Sequence, residues 1–411
     1  MYIRAIVHFQ RWVFREQNVA RGLSAGKSVI NRTTMAIALF TIASSLHRGL
    51  PNPKDEEFIK EIEKALGEDF DFREDFANYN DVDKKLIYVR TGGSEEVFRR
   101  LGLKGEIRLL TSGKENSLAA AMEILSYINL NGGKGEILHG SAEYIASRIR
   151  GEADESEGPS MTMPLPPIDL GGKRVGVIGA PSDWLISSGV DYSKAKDRLN
   201  VEMVDIPIEE LICGVKGHNC DLRSFKGSEA VYEELKSIVE KYSLDALTLR
   251  CFDLLDSIGN TGCLALARLN AEGITSSCEG DIPALFTMMI AKERTGCPGF
   301  QCNLSRISGD ELLFAHCTVP LSMAKSYTYD THFESGIGTA IKAELPLEEI
   351  TIAKLSPDLE NIAVIPGRIL RNQSEANLCR TQVVVEAAGA RDYFLKYSFA
   401  NHHVIIPGRL Y

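Results

Sequence analysis

Two acids stand either side of a glycine at Glu279, Gly280 and Asp281, and an amide, Asn303, follows 24 positions after the glutamate. A His-Cys pair lies at His316-Cys317, and an Asn-His-His triplet, Asn401 to His403, stands close to the last residue. Carboxylate, amide oxygen and imidazole are donors that suit a divalent cation. A carboxylate beside such a cation can also carry a proton between carbons. Each residue alone has a plainer role. Acids in a first helical turn cap the helix, Asn303 suits a turn, His316 a core and His402 a strand end. Their joint occurrence is what points to a site.

The elements that must position them follow from the pattern. Ile37 to Ala43, Lys85 to Arg90, Ile107 to Leu110 and Glu136 to His139 read as strands. Helices are expected around Glu56 to Leu66 and Asn116 to Leu125. Ser94 occupies an N-cap position with Glu95 and Glu96 in the first turn. The acidic, then proline-rich stretch 151–170 reads as a linker. A second strand–helix series follows, with strands at Arg174 to Ile178, Val201 to Asp205, Ala246 to Leu249 and Gly273 to Ser276. Its helices lie around Ala230 to Tyr242 and from Ala284 to Met289. After about residue 296, strands are expected at Val319 to Ser326, Ile337 to Leu345, Glu349 to Leu355, Ala363 to Leu370 and Arg380 to Glu386. The fold class is therefore α/β, with two doubly wound parallel-sheet domains followed by a β-rich antiparallel C-terminal domain. The expected boundaries are 1–34, 35–170, 171–295 and 296–411. Ligands of open α/β sheets bind beyond the carboxyl ends of strands. The turns Thr91-Gly92-Gly93, Ser112-Gly113 and Ser182-Asp183-Trp184 stand at such ends, though ordinary turn chemistry also accounts for them.

The bulk numbers bound the function. The chain has 411 residues, enough for two or three domains, and a net charge of −10. That balance disfavours nucleic acid as a partner and suits small-molecule work. No apolar run approaches the ~20 residues of a membrane-spanning helix, so no membrane partner is expected. Nine cysteines are present with no Cys-x-x-Cys pair, and their odd number in a long chain argues against a disulfide framework and for a reducing cytoplasm. Cys213, His218 and Cys220 are wrongly spaced for a zinc finger, and buried thiols are the preferred reading. The first 34 residues carry six basic residues against one acid, Glu16. They read as an Arg-rich transit segment or, preferably, as a start placed ahead of Met35. Gly26-Lys27-Ser28 is no P-loop, because Arg21 occupies the position of the first glycine. The Gly176 and Gly179 pair likewise lacks the dinucleotide pattern.

The run SSCEGDIPALFTMMIAKERTGCPGFQCNLSRISGDELLFAHCTVP resembles the L-fucose/L-arabinose isomerase family, and FANHHVIIPG resembles that family's C-terminal Asn-His segment. The resemblance implies a divalent cation, Mn²⁺ first, with Mg²⁺ or Co²⁺ as alternatives. It implies Glu279, Asn303 and His402 as metal ligands, and Glu279 as the proton shuttle with Asp281 as the second candidate base. His316, Asn401, Asp183 and Trp184 are the candidate substrate contacts. A homo-oligomer, trimer or hexamer, and a small-molecule sugar substrate follow by the same analogy. One position departs from the family: an acid is expected where Asn303 stands. An amide can ligate a hard cation but cannot act as a general base.

The expected function is a metal-dependent aldose–ketose isomerase working through an enediol. The alternatives are another metal–enediolate enzyme, for aldol cleavage or epimerisation, and a sugar-binding or regulatory protein without turnover. Arg380 is a candidate for an acidic substrate group, with a salt-bridged arginine the preferred reading.

Overall fold

A computed structural model describes residues 36–44, 49–152 and 158–411. The basic leader and the start expected at Met35 lie outside the described residues. The described chain is mixed α/β, with two parallel sheets and an antiparallel β-rich region.

The first sheet is built from β1 (Ala38–Ile42), β2 (Asp71–Arg73), β3 (Lys85–Val89), β4 (Glu106–Thr111) and β5 (Lys134–Leu138), in the order β2-β1-β3-β4-β5 and parallel throughout. Helices α1 (Glu57–Leu66), α2 (Glu95–Leu101), α3 (Ser117–Leu130) and α4 (Ala142–Arg150) connect and flank it. Strands in a parallel sheet covered on both faces are apolar runs, as in the buried Leu86 to Val89. Helix α3 differs from an ordinary surface helix because it is buried almost all round. Its Leu118, Ala121 and Ile124 share one core with Phe300, Leu304 and Phe314 of the antiparallel sheet. Small side chains in the run Ala119-Ala120-Ala121 let that sheet approach closely.

Within the stretch expected to be a linker, β6 (Thr162–Pro164) pairs with the antiparallel sheet. The second parallel sheet follows, with β7 (Lys173–Ile178), β8 (Val201–Ile206), β9 (Ala246–Leu249) and β10 (Thr275–Cys278) in the order β10-β9-β7-β8. Its helices are α5 (Tyr192–Leu199), α6 (Ile208–Gly217), α7 (Phe225–Tyr242), α8 (Asp253–Ile258), α9 (Cys263–Ala271) and α10 (Ile282–Thr295).

The remaining strands are β11 (Phe300–Ser308), β12 (Glu311–His316), β13 (Ser326–Asp330), β14 (Ala340–Glu344), β15 (Glu349–Leu355), β16 (Asn361–Gln373), β17 (Thr381–Glu386) and β18 (His402–Pro407). Order β15-β18-β11-β12-β17-β16 closes on itself, because β16 also pairs with β15. Strands β13 and β14 form a separate hairpin.

Three sequence expectations change here. Val319 to Ser326 is no strand: Pro320 opens a 3₁₀ turn, Leu321–Met323, and pairing begins only at Ser326. Proline lacks the N–H that a ladder needs. Strands β11 and β12 were absent from the expected set, and they are the ones that carry Asn303 and His316. The thiol reading also needs amending, since Cys213 is exposed and Cys220 and Cys297 are half-buried. His218 pairs instead with Glu234, at 2.8 Å. Arg380 donates to the Thr331 carbonyl at 2.7 Å, in keeping with a structural arginine. Among the described residues no helix is long and apolar enough to cross a membrane.

His139, at the end of β5, fastens the first sheet to β11. Its Nε2 accepts from the Ile307 backbone N–H at 3.1 Å, so the proton sits on Nδ1 and is donated to Thr111 Oγ1 at 2.8 Å. Burial, with Arg391 and Arg306 nearby, pushes its pKa down to about 3. An unfolded chain takes the proton near pH ~6.5, so stability is full above that pH and falls as pH drops towards the folded value. The expected loss from this one group is ~1.4 kcal/mol per pH unit. Urea unfolding of wild type and His139→Gln between pH 7 and pH 5 tests this. The variant should show the shallower slope, and equal slopes would exclude the role.

Candidate metal and sugar site

The chain leaves β10 at Cys278 and turns sharply into α10. Glu279 and Gly280 both adopt left-handed backbone, with φ of 65° and 73°. At Gly280 a Cβ would meet the Ala180 oxygen and the Pro181 Cα at 2.5 Å, so only glycine fits. Glu279 has no such licence and holds a conformation that costs a non-glycine residue about 1 kcal/mol or more. The turn is pinned on three sides. Ser182 N–H donates to the Glu279 carbonyl at 2.9 Å, and Gly280 N–H donates to the Leu249 carbonyl at 3.1 Å. The Gln301 side-chain oxygen accepts from Cys278 N–H at 2.7 Å. The result aims the Glu279 carboxylate at the end of the barrel.

Asn303 and His402 are direct partners in the β11–β18 ladder. That pairing brings together two residues 99 positions apart. His316 ends β12, the other neighbour of β11. The rings of His316 and His402 lie 5.3 Å apart and nearly perpendicular. Nε2 of His402 is 3.4 Å and Nε2 of His316 is 3.7 Å from Glu279 Oε1. The ligating atoms of Glu279, His316 and His402 fall within 4.8 Å of one another, and all three residues are buried. His316 thus joins the candidate ligands, beyond the sugar-contact role expected for it. Its Nδ1 is engaged by Thr318 Oγ1 at 2.8 Å, which leaves Nε2 for the site. Oδ1 of Asn303 and Nε2 of His402 are buried without a hydrogen-bond partner. Buried orphan donors converging on a carboxylate fit a divalent cation.

Asp281 stands behind this cluster. It caps α10 by accepting from Ala284 N–H at 2.7 Å. Its two oxygens take Lys354 Nζ at 3.1 and 3.0 Å, and His402 Nδ1 at 2.9 Å. Asp281 and the Lys354 ammonium are both fully buried. Burial opposes ionisation of Asp281, but Lys354 and then His402 hold its pKa at about 2. Burial lowers the pKa of His402, yet Glu279 and Asp281 raise it to about 9. Burial likewise opposes ionisation of Glu279, and His402 and His316 bring its pKa well below the usual value. A carboxylate on the far nitrogen is how a ligating histidine is oriented and made more basic.

The open side of the cluster is a small cleft that opens to solvent. Trp184 lines it and donates Nε1–H to Glu279 Oε2 at 2.6 Å. Asn401 lines it too, with Oδ1 free of partners. Its backbone N–H donates to the buried Glu123 of α3 at 3.1 Å. Asp183 lies outside the lining; it is exposed and paired with Arg250 at 2.9 Å. Sequence reasoning missed Glu95, Asn116, Phe252 and Glu334, which complete the wall. A place in the first helical turn makes Glu95 look like a capping acid, but it is buried and faces the cleft. The signal available was the glycine pair before it.

No family model matches the chain. Curated relatives include the sulfoquinovose isomerases of Priestia aryabhattai and Priestia megaterium, each 29% identical over 280 residues, 58% of this chain. A sulfoquinovose isomerase of Clostridium sp. is 29% identical over 193 residues, 43% of each chain. The chain is similar to sugar isomerases. The match spans about 62% of the length of the Priestia relatives.

Purified protein loaded with Mn²⁺ should hold one ion per chain, lost in Glu279→Gln and His402→Ala by elemental analysis. Retention in both variants would place the ion elsewhere. Asn303→Asp adds a charge to the site and should tighten binding by ~10-fold or more, read by calorimetry. Unchanged affinity would remove Asn303 from the ligand set.

Proposed function

We propose that this protein is a metal-dependent aldose–ketose isomerase of the L-fucose isomerase-like kind. The observation that supports it most is the convergence of Glu279, His316 and His402 on one another, beside a cleft that Glu279 and the orphaned Asn303 line. Similarity to sulfoquinovose isomerases points the same way. Two imidazoles with a carboxylate and an amide suit Mn²⁺ or Co²⁺ better than Mg²⁺. A cation held there would polarise nearby substrate oxygens and stabilise negative charge as it develops.

The chain's own residues supply the rest. Glu279 is ionised, sits at the cleft floor and takes a proton from the carbon next to the carbonyl, then returns it to the adjacent carbon. Trp184 Nε1 holds its second oxygen. Asp281 is a positioning residue that fixes His402. Asn401 offers a free amide oxygen to a sugar hydroxyl. The cleft lining carries Glu95, Glu279 and Glu334 and, among the described residues, no lysine or arginine. A neutral sugar therefore suits this wall better than a sulfonated one.

A second reading, sugar binding without turnover, draws on Asn303, which cannot take a proton. The two separate in deuterated water with Mn²⁺ and a panel of pentoses, hexoses and sulfoquinovose. Isomerisation of a neutral sugar with deuterium at the carbon beside the carbonyl is expected, falling ~10²-fold or more in Glu279→Gln. Binding without exchange across the panel would favour the second reading.

A further inference from the structure

Isomerisation through an enediol moves two kinds of proton. One passes between carbons and the other between oxygens. Glu279 accounts for the first only. Three polar groups beside it are poorly suited to the second. Asn303 carries no transferable proton at neutral pH. His402 is committed to Asp281, and Nδ1 of His316 to Thr318.

Glu95 is placed differently. It follows the turn Thr91-Gly92-Gly93-Ser94, which is held by several hydrogen bonds. Ser44 N–H donates to Thr91 Oγ1 at 2.9 Å, and Gly92 N–H donates to the Glu115 carbonyl at 2.8 Å. Ser94 Oγ donates back to the Thr91 carbonyl at 2.7 Å, so it does not cap α2. At Gly93, with φ of 75°, a Cβ would come within 2.9 Å of Ser44 Oγ. The turn therefore delivers Glu95 inward. Its side chain is 1% exposed, lines the cleft with Glu279 and Asn303, and leaves Oε2 with no hydrogen-bond partner. No ion pair to Glu95 occurs among the described residues. The charged groups around it are acids: Glu123 from α3, Glu279 after β10, and Glu334 before β14. Burial first, then these three charges, raise its pKa well above the usual carboxylate value, against the pull of its own backbone N–H. A buried carboxyl kept neutral this way is a hydrogen-bond and proton donor.

We propose that Glu95 is a further catalytic residue, a protonated carboxylic acid that carries the oxygen-to-oxygen proton of the sugar isomerisation. This rests on the isomerase reading. As Glu279 takes the C2 proton, the C2–H electron pair forms the C1=C2 bond and the carbonyl π pair takes the Glu95 proton at O1. In the second half the Glu95 carboxylate takes the O2 proton and C2=O forms. The C1=C2 pair then takes the proton from Glu279 at C1. Glu95 and Glu279 end as they began, and no oxidant or further reactant is needed.

The test is Glu95→Gln, which keeps the shape of a protonated carboxyl and so should preserve the fold. We expect kcat to fall 10²–10⁴-fold, with Mn²⁺ content unchanged. An infrared difference spectrum offers a readout independent of turnover. The wild type at neutral pH should show the carbonyl stretch of a protonated carboxylic acid, shifted in deuterated water, and Glu95→Gln should lack it. Turnover by the variant within about threefold of wild type would overturn the proposal. So would the absence of that band from the wild type. Wild type inactive on every sugar would sink the isomerase reading and this step with it. An active wild type beside an unimpaired variant would sink Glu95 alone.

Discussion

The contact on which the site depends is the buried ion pair between Lys354 and Asp281. Neither side chain has any exposure to solvent. Removing either partner would strand a bare charge, at a cost of roughly 3–5 kcal/mol. Lys354 belongs to a strand of the closed barrel, and Asp281 to the cap of the helix that leaves the second parallel sheet. The pair thus decides how sheet and barrel meet. It also leaves Asp281 one oxygen to share with His402 Nδ1. The orientation of that ring follows, and with it the direction in which Nε2 points. Glu279, two residues upstream on the same turn, is then carried to the same spot. One buried charge pair therefore fixes a helix cap, an interface and an imidazole at once.

Some of this was legible in the residues and some was not. The two parallel sheets could be read because their strands are continuous apolar runs broken by Gly and Ser turns. Glu279 and Asp281 stood out because the acids bracket a glycine at a strand end. The strands bearing Asn303 and His316 were hidden for a physical reason. Gln301, Asn303, Ser305 and His316 are polar residues that the barrel buries, so the apolar–polar alternation of β11 suggests one wet face where both faces are covered. The pairing of Asn303 with His402 is a matter of register, and register is set by tertiary contacts and turns. Glu95 was masked by its own position, since an acid in a first helical turn needs no further explanation. Its burial depends on the glycine turn before it and on α3 behind it.

Charge is distributed with some economy around the cleft. Glu123 is as buried as Asp281, yet it has no ion pair among the described residues. It accepts from the Ser187 N–H at 2.7 Å and from the Asn401 N–H at 3.1 Å, and burial still outweighs these contacts and raises its pKa. These contacts link a helix of the first sheet, a loop of the second and the last strand's approach. Three parts of the molecule thereby share one carboxylate beside the cleft.

The place of β18 in space has a consequence for how the molecule is made. This strand is the last one described, yet it lies between β11 and β15 and brings His402 with it. During synthesis the two parallel sheets emerge first and can fold in turn. The barrel must wait, with the facing edges of β11 and β15 unpaired, until its final stave arrives. Open edges of that kind invite association with other chains. The same insertion that seals the barrel completes the histidine cluster, so assembly of the scaffold and of the site is a single late event on the ribosome's timetable.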